Sequence, residues 1–264
     1  MTDVNSKKIQ FYINHFVTDL NHGKMEDQLG DAFEAYCTDI FSASEILNSL
    51  KCDYPLENDY ENFDLSIVER LISLCDIPFQ QIISIEAIRN IPRLISGGSP
   101  KTDVLIIINT VNDKYNIPIS IKQTSRPIVS IAEFTVDQIV NGVGITDSRL
   151  ICLMNKHQLD GSAINFTEEE KKDLKDRLLP YREAFVRWVF TGESEPNESI
   201  QSPDYLIKFN IEPYTGESIL VNSIDISPIE TYITNKIGGR AGFGTGLSWT
   251  YATGSKGKRI QFKG

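Results

Sequence analysis

Asp103, Ser120 and Lys122 are the residues whose types and spacing offer chemistry. They lie in residues 97–123, GGSPKTDVLIIINTVNDKYNIPISIKQ, where an acid is followed by two apolar runs split by a polar turn. A carboxylate holds a hard cation such as Mg²⁺ through oxygen. Such a cation polarises a scissile phosphate and lowers the pKa of a bound water. A lysine beside it can steady the attacking water and offset charge in the transition state. These are the parts of a metal-dependent phosphodiesterase. The same residue types also arise without chemistry, as an acid opening a strand and a lysine on the wet side of an amphipathic one. Taken alone, an Asp…x-x-Lys pattern favours that plainer reading.

A β-hairpin would bring the three together. Residues 104–108 are β-branched or leucine throughout, which suits a buried strand. Asn112, Asp113 and Lys114 supply the turn. From Asn116 the pattern alternates, so Ile117, Ile119 and Ile121 point one way and Pro118, Ser120 and Lys122 the other. Centring the turn between Asn112 and Asp113 sets Asp103 opposite Lys122 and Leu105 opposite Ser120, give or take a residue or two. An acid, a hydroxyl and an ammonium then converge at one end of one sheet.

An acid, a spacer of strand and turn, then x-Ile-Lys resembles the PD-(D/E)xK nuclease signature. Longer segments carry a more specific likeness. GGSPKTD, VSIAEFTVDQIVNGVGI, LLPYREAFVRW and the closing GFGTGLSWTYATGSKGKRIQFKG closely resemble the Type II restriction endonucleases of the MspI family, from the helix near Leu29 to Gly264. The resemblance implies a Mg²⁺-dependent enzyme that cuts double-stranded DNA at a CCGG palindrome. It makes Asp103 the metal ligand, Lys122 the catalytic lysine and Glu34 a candidate accessory ligand or lysine partner, although an ordinary surface glutamate fits Glu34 as well. One position departs. The broad signature has an acid two residues before the lysine and this family an amide, where this chain has Ser120. A neutral hydroxyl is a weaker ligand, so the carbonyl of Ile121 and waters would complete the shell.

The formal charge of −10 argues by itself against a nucleic-acid partner. Its distribution reverses that. Acids crowd residues 53–69, whereas from Lys236 to Gly264 there is no acid, and Lys236, Arg240, Lys256, Lys258, Arg259 and Lys263 are basic. A local basic face on an acidic protein still binds phosphates. A hydrophobic content of 41% is ordinary for a soluble globular chain, and 264 residues suit one large domain or two small ones. The sequence leads us to expect no signal peptide and no membrane span, and four dispersed cysteines read as free thiols in a reducing bacterial cytoplasm. The three histidines share no metal-ligand spacing, and no nucleophile elbow or phosphate loop occurs.

The surrounding pattern predicts helices over 5–21, 25–42, 44–50, 65–74, 148–159, 167–178 and 181–190, a loop through the acidic residues 53–64, and an ambiguous segment over 79–88. Gly97-Gly98 reads as a sharp turn or a close approach to phosphate. Strands at 205–211 and 218–224, joined by a turn at Gly216, suggest a second hairpin. Ser130 and Glu133 admit two readings. They can face a DNA groove, the glutamate accepting from cytosine N4, or form a helix N-cap with its capping-box glutamate, S-x-x-E.

The segment 238–264 holds eight of the chain's 17 glycines. Residues 249–251 and 260–263 read as short strands flanking a basic glycine turn, which suits insertion into a major groove. Lys256, Lys258 and Arg259 would meet phosphates, as would Lys101 and Arg126. Thr250, Gln261 and Lys263 would reach bases. A disordered basic tail is the alternative, opposed by Trp249, Tyr251 and Phe262.

Together these features predict one α/β domain spanning 1–264. Its core would be a restriction-endonuclease-like central mixed β-sheet flanked by helices, with a catalytic hairpin at 97–123 and a C-terminal basic DNA-reading segment at 238–264. It would act on double-stranded DNA as a monomer or homodimer, with no membrane partner. A nuclease of the same fold with another target, or a DNA-binding protein that no longer cuts, are the rival readings.

Overall fold

The computed structural model describes residues 7–19, 22–52, 59–93, 99–196, 198–212, 219–252, 254 and 256–264. In chain order the elements are α1 Lys7–Phe16, α2 His22–Ser42, α3 Ser44–Cys52, α4 Asp59–Leu74, β1 Ile82–Ile88, β2 Val104–Thr110, β3 Lys114–Thr124 and β4 Ser130–Phe134. There follow α5 Val136–Val143, α6 Ser148–Asp160, α7 Glu168–Leu178, α8 Arg182–Thr191, β5 Tyr205–Ile211, β6 Val221–Pro228, α9 Ile229–Lys236, β7 Ser248–Thr250 and β8 Ile260–Lys263. They form two compact units. The first comprises Met1–Pro127 and Pro203–Pro228, and the second Ile128–Ser202 and Ile229–Gly264. Among the described residues no helix is long and apolar enough to cross a membrane.

The first unit is built on a five-stranded mixed sheet in the order β1-β2-β3-β5-β6. Its strands pair antiparallel except β3 and β5, which run parallel. Parallel neighbours need a long connection, and here residues 125–204 lie between them. One face of the sheet carries Val104, Ile106, Ile108, Ile117, Ile119, Ile121, Ile207 and Phe209, all buried in one core with the stripes of the helices. On α2 the stripe is Leu29, Phe33, Tyr36, Cys37 and Ile40, at the three- and four-residue spacing of a single helix face. Phe33 stacks on Phe209 at 4.2 Å between ring centroids. Burying each such side chain contributes about 1.5–3 kcal/mol.

The hairpin has the expected alternation but a different register. Val104 lies opposite Ile119 and Leu105 opposite Pro118, two residues away from the expected partner Ser120. The turn is tighter and one residue earlier. Lys114 already belongs to β3, and the Thr110 hydroxyl donates to the Asp113 carbonyl at 3.0 Å while accepting the Asp113 N–H at 3.0 Å. A shift of two keeps every side chain on its original face, so the polar face survives the correction.

Other boundaries move too. The segment 79–88 resolves into a turn and strand β1. Helix α4 begins at Asp59, so the acidic stretch is not loop throughout. Within it Asp64 is buried and accepts the Tyr36 hydroxyl at 2.6 Å, which a solvated acidic face does not do. The Gly97-Gly98 and Gly216 turns lie outside the described residues, as do Thr253 and Ser255 in the basic turn.

The second unit carries a three-stranded sheet in the order β4-β8-β7. Ser130 opens a strand here, so it caps no helix. The capping box lies five residues on, where Thr135 Oγ1 accepts the Gln138 N–H and Gln138 returns a bond to the Thr135 N–H. The S-x-x-E spacing mimicked a signal that T-x-x-Q supplies. Helix α7 is capped as expected by Thr167 with Glu170. The C-terminal segment is packed, which removes the disordered-tail reading. Phe262 is fully buried, with Phe185 and Trp249 against it at centroid distances of 5.3 and 5.5 Å.

His157, at the end of α6, sits in an aromatic box of Phe166, Phe243, Trp249 and Tyr251. The Tyr251 hydroxyl donates its one proton to the His157 carbonyl at 2.7 Å. The ring Nδ1, 2.8 Å from the same hydroxyl, must therefore be the protonated nitrogen. Burial pulls the imidazole pKa down to about 4. The unfolded chain, with a histidine near 6.5, then binds the extra proton first as pH falls. This contribution is complete above about pH 6.5 and is lost towards pH 4. Between pH 7 and pH 5 the wild type should lose about 2 kcal/mol more stability than His157→Gln. Chemical denaturation of both at the two pH values checks this, and parallel losses would remove histidine as the cause.

Candidate active site

At the carboxyl-terminal half of β3, on the face opposite the core isoleucines, the side chains of Ser120 and Lys122 meet Asp103. The Asp103 N–H donates to the Ile119 carbonyl at 2.8 Å, which ties the acid to the strand. Its Oδ2 accepts three bonds, from the Ser120 hydroxyl at 3.0 Å, the Ile121 N–H at 2.6 Å and Lys122 Nζ at 3.0 Å. Lys122 Nζ also donates to the Ile121 carbonyl at 2.9 Å. Ser120 is only 3% exposed, so this network lies at the edge of the core, where charges act through a lower dielectric than in bulk water.

Two further charges face the pair. Glu34 comes from α2, which packs on β3. Its carboxyl is pushed up to about 7, first by burial, then by the negative charges of Asp103 and Asp31, with Arg89 and Lys122 pulling the other way. Lys101 is pulled down to about 8 by burial and by the like charge of Lys122, with Asp103 opposing. Two acids and two lysines from α2, the start of β2 and β3 thus share one field. A carboxyl raised and an ammonium lowered by burial and by neighbouring charge, beside a polar sheet face, point to a functional site.

The donors that converge suit a hard divalent cation. They are all oxygen: the Asp103 carboxylate, the Ser120 hydroxyl and the Ile121 carbonyl, with the Glu34 carboxyl near enough to feel the charges of Asp103 and Lys122. The Lys122 ammonium already bridges the Asp103 carboxylate and the Ile121 carbonyl, so these two oxygens present to a single cationic centre. Among the described residues no three His, Cys, Asp or Glu side chains gather as a metal site. Such a cation would therefore keep several waters, as Mg²⁺ does.

Of the remaining sequence-predicted residues, Lys101 joins the site and Arg126 sits in the exposed turn after β3, where its N–H donates to Thr124. Five others share one face of the second unit's sheet. Ser130 pairs with Lys263, and Glu133 with Gln261, which pairs in turn with Thr250. Gln261 Nε2 donates to Glu133 at 2.8 Å, and the Thr250 hydroxyl lies 3.2 Å from Gln261 Oε1. The amide is thereby oriented from both sides. Lys258 and Arg259 are exposed. Lys256 lays its stem against Gly161 at the C-terminal cap of α6, a position that also favours a cation. Sequence reasoning missed Lys208, Asn210 and Asp225. The alternation through β5 put Lys208 and Asn210 on the face opposite Ile207 and Phe209, but nothing local tied them to Lys122.

A mixed sheet flanked by helices, with an acid and a lysine joined across a hairpin, is the architecture that the resemblance to Type II restriction endonucleases implied. Residues 9–264 match the restriction endonuclease MspI family. The chain is 39% identical over 252 residues to the Type II restriction enzyme MspI of Moraxella sp, covering 92% of each. It is 28% identical over 236 residues to the Type II restriction enzyme BsuFI of Bacillus subtilis, spanning 84% of this chain and 57% of that one. The crystal structure of restriction endonuclease MspI in complex with its cognate DNA superposes with a TM-score of 0.82 at 37% identity, covering 98% of both chains. The chain belongs to the MspI family of restriction endonucleases, enzymes that bind and cleave DNA and depend on a divalent metal.

Proposed function

We propose that this enzyme hydrolyses phosphodiester bonds of double-stranded DNA at CCGG with Mg²⁺. The observation that carries this reading is the grip on Asp103 Oδ2 by Ser120, Ile121 and Lys122. Asp103, Glu34, the Ser120 hydroxyl and the Ile121 carbonyl would hold the cation, which when bound supplies charge to polarise the phosphate and activate water. Ser120 fixes the Asp103 rotamer. Lys122 orients the attacking water and offsets charge on the phosphoryl oxygens. Lys101 and Arg126 contact phosphates, as do Lys256, Lys258 and Arg259, so affinity should fall steeply with salt. Ser130, Glu133, Thr250, Gln261 and Lys263 face the bases, the lysine towards guanine and the glutamate towards cytosine N4. The chain then acts as one restriction-endonuclease domain, 1–264, in the bacterial cytoplasm, as a monomer or a two-fold dimer on its palindrome.

Digestion of plasmid DNA with Mg²⁺, followed by sequencing of the ends, tests this. Discrete fragments ending at CCGG support it. A different ladder moves the target sequence, and intact but retarded DNA leaves a binding protein without cleavage.

Ser120 gives a sharper check. Its hydroxyl donates to Asp103 and can offer a cation only that same neutral oxygen, whereas an amide can donate through nitrogen and offer a separate, stronger carbonyl ligand. Ser120→Asn should lower the Mg²⁺ concentration for half-maximal cleavage by about fivefold, equivalent to about 1 kcal/mol of ligand binding. An unchanged midpoint would show that the hydroxyl does not limit metal affinity.

A further inference from the structure

A second lysine stands in register with Lys122 on the polar face of the same sheet. Parallel pairing of β3 with β5 sets Lys122 beside Lys208, Ser120 beside Leu206 and Thr124 beside Asn210. Since Ile207 and Phe209 are in the core, Lys208 and Asn210 share the opposite face with Ser120 and Lys122. The next strand continues the polar row, with Asp225 paired to Lys208 and Ser223 to Asn210. Lys208 Nζ lies 3.2 Å from Asp225 Oδ2. Asn210 Nδ2 donates to the same oxygen and to Ser223 Oγ, each at 2.8 Å. One carboxylate oxygen thus takes an ammonium and an amide, and the amide is itself braced by a hydroxyl.

We propose that Lys208 is a positioning residue that holds a phosphate adjoining the scissile one, with Asp225 and Asn210 fixing its ammonium beside Lys122. This rests on the reading of the protein as a DNA-cleaving enzyme. Neighbouring strands lie about 4.8 Å apart, and each lysine carries its ammonium on a flexible four-carbon stem, so the two ammoniums can splay to successive phosphates along one DNA strand. Lys122 is held towards Asp103 and Lys208 towards Asp225 on the far side, so the two ammoniums suit adjacent phosphates rather than a shared one. An ammonium has three protons, and the Asp225 contact leaves others for phosphate oxygens. The Lys208 side chain is 20% exposed, so it reaches solvent while its stem is packed. A cross-strand ion pair that only tied β5 to β6 would contribute little, and it would not need a second donor on the same oxygen.

The test is binding of a cognate duplex without metal, measured by fluorescence anisotropy over a range of salt. Lys208→Gln should weaken binding about tenfold at low salt and reduce the slope of log affinity against log salt by about one. The loss should be equal for cognate and unrelated duplexes, because phosphates carry no sequence information, and Lys208→Arg should restore most of it. A single methylphosphonate, moved through the site, should weaken the wild type at one position where it has no effect on Lys208→Gln. Asp225→Asn leaves the ammonium in place but takes away its anchor, so the single methylphosphonate position at which the wild type weakens should blur over its neighbours, which keeps the proposal testable if Lys208→Gln does not fold. Unchanged affinity and salt slope, with only a lower melting temperature, overturn the proposal while leaving the nuclease reading intact. A wild-type protein that neither binds nor cuts any duplex overturns both.

Discussion

Lys122→Ala is expected to lower the rate of DNA cleavage by about three orders of magnitude while leaving duplex affinity within about threefold. Three decades correspond to about 4 kcal/mol of transition-state stabilisation, within reach of a charged donor held in place before the reaction. Lys122 Nζ is such a donor, fixed at 3.0 Å from Asp103 Oδ2 and 2.9 Å from the Ile121 carbonyl. Affinity should survive because, on the proposed reading, it is spread over many phosphate contacts. The metal response separates catalysis from scaffolding. Without the ammonium, Asp103 keeps the Ser120 hydroxyl and the Ile121 N–H, and the two oxygens that Lys122 bridged lose their competing cation. Mg²⁺ binding should therefore be unchanged or tighter, whereas a lysine that merely built the site would take metal affinity down with it. Single-turnover cleavage, duplex binding and calorimetric Mg²⁺ titration of Lys122→Ala and the longer Lys122→Met give the three readouts. Cleavage within tenfold of the parent would remove Lys122 from the chemistry.

What sequence alone could reach follows a physical division. Parity was legible, because alternation of Ile117, Ile119 and Ile121 decides which residues share a face whatever the exact pairing. Register was not, since Thr110 and Asp113 close the turn one residue earlier than the polar triplet suggested. The helix over 25–42 was legible from its stripe, but the burial of Asp64 depended on Tyr36, 28 residues away. Likewise Glu133 and Gln261 are 128 residues apart. Local spacing at Ser130 offered a helix cap instead of the strand pairing that joins them. Lys208 shows the same limit. Its face was readable from alternation within β5, whereas its place beside Lys122 follows from a parallel pairing that has no local signature.

Gly246→Ala should disrupt the second unit and abolish DNA binding, although it adds one methyl group far along the chain from the hairpin. Gly246 has a φ of +73°, and a Cβ there would lie 2.1 Å from the Lys236 carbonyl oxygen and 2.8 Å from its carbon. Backbone atoms cannot rotate away as a side chain can. The loop is also closed on itself, with the Gly238 N–H donating to the Gly244 carbonyl and the Gly246 N–H to the Ala241 carbonyl. Thr245 and Leu247 on either side are fully buried, so the chain has no slack in which to move. The left-handed conformation alone costs alanine about 1–2 kcal/mol, and displacing packed backbone should bring the total to about 4 kcal/mol or more. Gly144 is the internal control. Its φ is also +73°, but nothing lies within 4 Å of its added Cβ. Gly144→Ala should therefore lose only the conformational part. The melting temperature of Gly246→Ala should fall about 6 °C or more below that of Gly144→Ala, with duplex binding lost at temperatures where Gly144→Ala still binds. Equal melting temperatures would mean that the glycines of this segment serve backbone conformation alone, and that the close approach to Lys236 bears no energetic weight.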